Sequence, residues 1–331
     1  MAPNIINCRR KLINMSEPRS KVAIDCLVYN HEPYLRDCLE GFVIQQTNFP
    51  FVAIVHDDAS TDRSADIIRE YAAKYPDIIH PIYETENQYS KKDGSLTKIM
   101  NAALSVTGAK YIAMCEGDDY WTDPHKLQKQ VEYLEQHPDC VITSHCFVKL
   151  YMSDGHKEEY DYSHIFHGKE PGTCFHIEQI YEDWYLQTLC VVYRADAIDT
   201  NRWLLYKYHH DNVLFLEIMR NGGYGYIFNE CLGVYRIHDT GVYSGLRKEQ
   251  RLKEAVEKYG YIFREYPANF TRIKLMYQYV NLLQYWRRNV PWYKRLFWWQ
   301  WYQYHWQMFF IRYQSIAKFL KVQYKRFRRS I

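Results

Sequence analysis

Through the first 150 residues, short apolar runs alternate with longer stretches whose apolar positions recur every three or four residues. Residues 22–29 (VAIDCLVY) suit a strand buried on both faces, and Pro33–Gln46 follows with Leu35, Leu39, Phe42 and Val43 at helical spacing. The unit then repeats. Residues 51–56 (FVAIVH) predict a second strand, and Thr61-Asp62 open a helix reaching Tyr75. A weaker strand falls at 78–83, a helix at 95–106, a strand at 110–115 (KYIAMC), a helix at 124–134 and a strand at 141–148. Strand and helix in alternation predict an α/β fold, a mostly parallel central sheet flanked by helices. Such sheets bind ligands at the carboxyl ends of their strands. Here those ends carry Tyr29–Asn30, Asp57–Asp58 and Glu116–Asp119.

Beyond 150 the beat loosens. Asp154-Gly155 predicts a hairpin turn, 189–193 a strand, Asp211–Arg220 a helix ended by Asn221-Gly222-Gly223, and 231–238 a strand. From residue 246 the chain reads as helix to its end. The expected organisation is a leader over 1–20, one domain over 21–245 (in two halves, 21–150 and 151–245) and a helical extension over 246–331.

Charge sharpens that division. No Asp or Glu follows Glu265, whereas 13 Lys and Arg do, so a net charge of +3 over 331 residues hides an acidic body of −10 and a basic tail. Six of the nine tryptophans lie in 285–331, and apolar positions from Trp292 to Phe327 make one helical stripe interrupted only at Gln303. The longest uncharged stretch, Leu296–Ile311, is 16 residues with three glutamines and a histidine, short of the roughly 20 apolar residues of a membrane span. An interfacial helix on an anionic membrane surface is expected, with the protein cytoplasmic and peripheral on the inner face of the cell membrane. Packing of the stripe on the catalytic domain or on a second subunit is the plainer alternative. No nucleic-acid module is recognisable. Nine cysteines without a C-x-x-C pair predict reduced core thiols, and the basic N-terminus lacks the apolar segment of a signal peptide.

The chemistry concentrates in two acidic clusters. Packed carboxylates such as Glu116, Asp118 and Asp119 repel one another unless a cation neutralises them, and hard divalent ions bridge carboxylates to phosphates. A solvated turn capping the helix at Asp123-Pro124 would read the same way. In HDDASTD (56–62) a carboxylate can accept from a base or ribose, while Ser60–Asp62 cap a helix. His137, Cys140, His145 and Cys146 match no zinc spacing, Gly222-Gly223-x-Gly225 ends a helix where a dinucleotide fingerprint would begin one, and no P-loop occurs.

VAIDCLVYN, FVAIVHDDASTD and KYIAMCEGDDYW, in that order and spacing, resemble the three donor-site signatures of family 2 glycosyltransferases of the Rossmann-like GT-A fold. The resemblance is close over 21–150 and looser to about 245. It implies transfer of a sugar, with inversion, from a nucleotide-diphosphate sugar to a hydroxyl of a glycan or lipid-linked acceptor in surface-polysaccharide synthesis, with Mg2+ or Mn2+ as cofactor. It implies that Tyr29, Asn30, Asp57 and Asp58 face the nucleotide, that Asp118 and Asp119 hold the metal, and that Lys98 lies near the donor. Glu116 stands where the family has Asp. HHDNVLFLEI places Asp211 where the family carries its catalytic base, and VYRIHDTGVYSG makes His238 a candidate metal or phosphate contact. Two alternatives remain. A nucleotidyltransferase would need a Gly-rich basic loop after the first strand, which YNHEPYL does not supply. A non-catalytic nucleotide-sugar-binding or membrane-scaffold protein of the same fold would lose the acids that are present here.

Overall fold

The computed structural model describes residues 20–181, 185–207, 209–239, 247–296 and 302–309. The leader up to residue 19, the loop 240–246 and the stripe beyond Phe309 lie outside the described residues. The chain divides into two compact units, Met1–His238 and Asp239–Ile331.

The first unit is built on one sheet. Its strands are β1 (Val22–Val28), β2 (Phe51–Asp57), β3 (Ile79–Tyr83), β4 (Tyr111–Met114), β5 (Tyr120–Trp121), β6 (Cys140–Tyr151), β7 (Lys157–Glu159), β8 (Gly172–Phe175), β9 (Val192–Arg194) and β10 (Tyr224–Ile237). They run in the order β3-β2-β1-β4-β9-β6-β10-β5, with β7 paired to β6 and β8 to β10. The half from β3 to β4 is parallel throughout. Beyond it β9 runs antiparallel to both β4 and β6, which makes the whole sheet mixed. The helices are α1 (Leu35–Val43), α2 (Ser64–Lys74), α3 (Ser95–Thr107), α4 (Lys126–Gln136) and α5 (Asp211–Met219).

Helices cover both faces, and the burial pattern shows why. β1 and β2 are almost wholly buried, as strands sandwiched between helical layers must be. Cys26, Val28, Leu35, Leu39, Phe42, Val55 and Ile68 join the main core. On the other face Ile54, Ile82, Met100 and Ala103 form a second cluster beneath α3. The described cysteines are free, all buried except Cys174 and Cys231.

Three departures from the sequence pattern matter. The stretch 189–193 begins as a 3-10 turn, Thr188–Cys190, before β9 starts at Val192. The strand expected from 231 begins seven residues earlier, at Tyr224, with register shifts on either side of Cys231. β5, only two residues long, carries no periodicity to read. It is fixed instead by Trp121, which is 2% exposed, donates from Nε1 to the Leu189 carbonyl (2.7 Å) and packs against Phe42. The buried Lys126 ammonium sits 3.9 Å from the centre of the Trp121 ring, and loss of hydration pushes it down to about 7.

The second unit holds α6 (Lys248–Glu265), α7 (Asn269–Asn289) and α8 (Trp292–Leu296); residues 302–309 are also helical. α6 and α7 share a core of Val256, Leu275, Tyr279, Leu282, Leu283 and Trp286. Trp292 and Trp306 are 67% and 61% exposed. Among the described residues no helix is long and apolar enough to cross a membrane.

Candidate active site

β1 brings the two acidic clusters together. Asp58 donates its backbone N–H to the Val28 carbonyl (2.9 Å), and Gly117 donates to that of Leu27 (2.9 Å). The loops after β2 and β4 therefore hang on consecutive carbonyls at the end of the strand between them. The carboxyl-edge expectation places them on one rim, and so does the observed bonding.

The loops after β1 and β2 are laced to each other. Asn30 adopts a left-handed backbone (φ 56°), which Asn tolerates through its short polar side chain. Its N–H donates to Ser60 Oγ (2.9 Å), while its Oδ1 accepts from the Thr61 N–H (2.8 Å). Glu32 N–H donates to Asp62 Oδ2 (2.9 Å). Tyr29, at the tip of β1, leaves its ring 45% exposed. Asp57 is buried with Oδ1 unpartnered, and burial pushes its carboxyl up. Asp58 is committed on both oxygens, Oδ1 accepting from the Gln88 N–H (2.6 Å) and Oδ2 from the Tyr89 N–H (3.0 Å). It anchors the segment between β3 and α3. Any contact with a base must share lone pairs with those amides.

Glu116, Asp118 and Asp119 offer carboxylate oxygens all within 4.8 Å of one another. Asp119 is 1% exposed; Oδ1 accepts from the Arg236 N–H (2.8 Å) and Oδ2 has no partner. Asp118 Oδ2 accepts from His238 Nε2 (3.0 Å), with His31 Nε2 3.8 Å away, while its Oδ1 is buried and unpartnered. Burial drives Asp119 well above the carboxylate range, reinforced by Asp118. Lost hydration, then the charges of Asp118, Asp211 and Asp25, push Glu116 up to about 8. Burial works upward on Asp118 too, but the His238 bond and the charge of His31 hold it below its ordinary value. Three carboxylates this close, two of them with a buried oxygen left unpartnered, are the donor set of a hard divalent cation. The residues fit such an ion, with Asp118 Oδ1, Asp119 Oδ2 and the Glu116 carboxylate as the groups that would hold it.

Asp211 opens α5 as its first helical residue, and it is exposed. Its Oδ1 accepts from the backbone and side-chain amides of Asn212 (2.7 and 2.9 Å). Its charge is among the lesser influences that raise Glu116 and Tyr235. Lys98 stands apart, exposed in the first turn of α3, where its charge bears on His209. Its helix nonetheless approaches the segment that precedes Asp211, because a Cβ on Gly94 would lie 2.9 Å from His209 Cε1.

Arg236 and His31 escaped the sequence reading. Arg236 is 5% exposed; beyond its backbone bond to Asp119, its guanidinium donates to the Asp118 carbonyl (2.9 Å) and pairs with Asp37, and it stacks over Tyr120 at 4.3 Å. It props the acidic loop from β10. A basic residue inside the apolar run GVYRI was the available signal. Gly117 is equally constrained, because a Cβ there would meet His31 Nδ1 at 2.8 Å and Val28 Cγ2 at 2.9 Å.

Comparison with known proteins agrees with this geometry. Residues 27–194, just over half the chain, match the Glycosyl transferase family 2 profile, and the chain belongs to that family. It is 34% identical over 241 residues to the mycobacterial proteins typified by Rv1520 of Mycobacterium tuberculosis, covering 70% of this chain and 62% of that one. The chain thus spans less than two thirds of the length of those relatives. The putative teichuronic acid biosynthesis glycosyltransferase TuaG of Bacillus subtilis is 27% identical, covering 72% of this chain and 84% of its own. Two solved structures share the fold. S. aureus TarS (residues 1–349, with UDP-GlcNAc) superposes with a TM-score of 0.62 at 16% identity over 86% of this chain and 79% of its own. The mannosyltransferase PcManGT of Pyrobaculum calidifontis, with GDP-Man and Mn2+, gives 0.54 at 15% identity over 87% and 84%.

Proposed function

We propose that the chain is a metal-dependent, inverting glycosyltransferase that moves a sugar from a nucleotide-diphosphate donor to a hydroxyl of a glycan or lipid-linked acceptor in surface-polysaccharide synthesis. The observation that carries this reading is the pair of orphaned carboxylate oxygens, Asp118 Oδ1 and Asp119 Oδ2, on the rim that also holds Asp57 and Asp58. A nucleoside diphosphate spans from base to metal, so its site needs a base end and a cation end on one edge. The binding of UDP-GlcNAc by TarS and of GDP-Man with Mn2+ by PcManGT supports the donor class and the metal class. The teichuronic acid role in the name of TuaG supports a surface glycan.

In this reading Tyr29 stacks on the base, and the laced loops of Asn30, Asp57 and Asp58 orient the nucleotide. Lys98 adds positive charge on the donor side. A bound Mg2+ or Mn2+ supplies charge stabilisation for the diphosphate leaving group. Asp118, Asp119 and Glu116 would hold that ion, and His238 holds Asp118. Asp211 takes the proton from the acceptor hydroxyl as that oxygen attacks the anomeric carbon from the face opposite the leaving phosphate, which is what inverts the centre.

A panel of nucleotide sugars tested by thermal melting, with and without Mn2+, checks the donor class. One sugar nucleotide should stabilise the chain by about 2.7 kcal/mol at a hundred times its dissociation constant, and only with metal present. Equal melting temperatures with every donor and metal would refute the reading.

The basic, aromatic C-terminal region carries a further part of the proposal, attachment to an anionic membrane surface. Thirteen cations without an acid after Glu265, and the exposure of Trp292 and Trp306, support it. The full chain should float with vesicles containing phosphatidylglycerol and stay behind with neutral ones. Exchange of Lys318, Lys321, Lys325, Arg326, Arg328 and Arg329 for Gln should abolish flotation, at about 1 kcal/mol for each cation at the surface. Equal flotation of the two chains would exclude charge-driven attachment.

A further inference from the structure

His31 belongs to the loop after β1, and its backbone is pinned from two sides. Its N–H donates to Ser64 Oγ (2.9 Å), and its carbonyl accepts from Tyr34 and Leu35 (both 2.9 Å), starting α1. The imidazole lies in the space that Gly117 leaves, with Nδ1 where a Cβ would reach within 2.8 Å. Nδ1 is buried and unpartnered. Nε2 faces Asp118 Oδ2 at 3.8 Å, and the same oxygen accepts from His238 Nε2 at 3.0 Å. Two imidazoles, one from the end of β1 and one from the end of β10, thus bracket a single carboxylate oxygen. The other oxygen, Oδ1, is left unpartnered.

We propose that His31 is a positioning residue for Asp118, which it holds together with His238 so that Oδ1 is presented to the cation. The inference rests on the reading of the acids as a cation site. The physical reason is torsional. A carboxylate held by one hydrogen bond still rotates about its last bond, whereas a second contact on the same oxygen removes that freedom before any ligand arrives. A shift of roughly 1 Å, within ordinary side-chain motion, brings Nε2 to hydrogen-bond distance. The oxygens that converge within 4.8 Å belong to Glu116, Asp118 and Asp119 alone among the described residues, so His31 acts through Asp118 and not as a ligand. Gly117 follows from the same arrangement: it is the residue that lets the ring in.

The test is Mn2+ binding by the full chain, read from the electron paramagnetic resonance signal of free Mn2+ with neither donor nor acceptor present. His31→Leu keeps bulk and removes the nitrogen; His31→Gln restores an amide donor near the Nε2 position. The first should weaken Mn2+ binding about tenfold, the usual scale for a group supporting a metal ligand, and the second should stay within about threefold of the parent. Should His31→Leu fail to fold, His31→Asn, whose amide is one methylene short, takes its place with the same expected loss. Unchanged binding in His31→Leu, or equal losses in Leu and Gln, overturns the role of His31 and leaves the cation site standing. Failure of the parent chain to bind Mn2+, with Asp118→Asn indistinguishable from it, removes both.

Discussion

Asp211→Asn should lower turnover by about 10²–10⁴-fold while leaving donor affinity within about twofold. The amide keeps the size and the bonding to Asn212 but cannot take a proton, so the loss falls on the chemical step and not on binding. Expressed as a barrier, this is about 3–5 kcal/mol. The expected separation is visible in the structure, because Asp211 is on α5 whereas the groups assigned to the nucleotide are on the loops after β1 and β2. Single-turnover kinetics with saturating donor, beside equilibrium binding of that donor, measure both quantities. Turnover within about threefold of the parent would take Asp211 out of the mechanism and move the proton to water or to another group.

The second large effect concerns pH and metal together. Glu116 titrates near 8 in the folded chain against an ordinary 4.5, and Asp119 lies well above 3.8. A carboxyl whose pKa rises on folding binds more protons folded than unfolded over the interval between those values. These two acids therefore contribute a loss of stability to the metal-free protein as pH rises from about 4.5 towards 8, whereas His31, His56, His145 and His209, whose pKa values burial lowers, contribute a gain as pH rises to the ordinary histidine value. Asp118 is displaced downward and opposes the loss, but its contribution is complete above the ordinary carboxylate range and adds no slope near neutrality. Mn2+ replaces the protons, so its stabilising effect should be close to nil at pH 5 and grow to about 2.7 kcal/mol at pH 8 when the ion is at a hundred times its dissociation constant. Denaturant titrations at pH 5 and 8, with and without metal, check both signs. Asp119→Asn removes one of the repelling charges, and it should reduce the acids' share of the pH dependence and abolish the response to Mn2+. A metal-free pH dependence between 5 and 8 that Asp119→Asn leaves unchanged would contradict the assigned burial of these acids.

How much of this could be read from letters alone differs from element to element. The strand ends were legible, since a buried parallel strand shows as an uninterrupted apolar run and its last residue marks the rim. Asp57, Asp58, Glu116, Asp118 and Asp119 could be placed on one edge for that reason alone. The antiparallel course of β9 was not legible: Val192–Arg194 is three residues long, and direction leaves no trace in so short a run. The contacts that shape the acids were hidden as well. Arg236 reaches Asp119 across 117 positions and His238 reaches Asp118 across 120. Periodicity speaks only of residues a few positions apart, and so cannot pair them.

The sequence by itself determined the alternation of strand and helix, the acidic rim, the division between an acidic body and a basic tail, and the family. All of these are properties of local pattern, composition and motif order. Only the tertiary structure decided what each acid is free to do. Asp58 has both oxygens taken by backbone amides, Asp118 keeps one open, and Asp119 is buried with one open. The physical reason is that a carboxylate's proton affinity and its free lone pairs are set by burial and by partners supplied from distant strands, and those come into being only when the chain closes on itself.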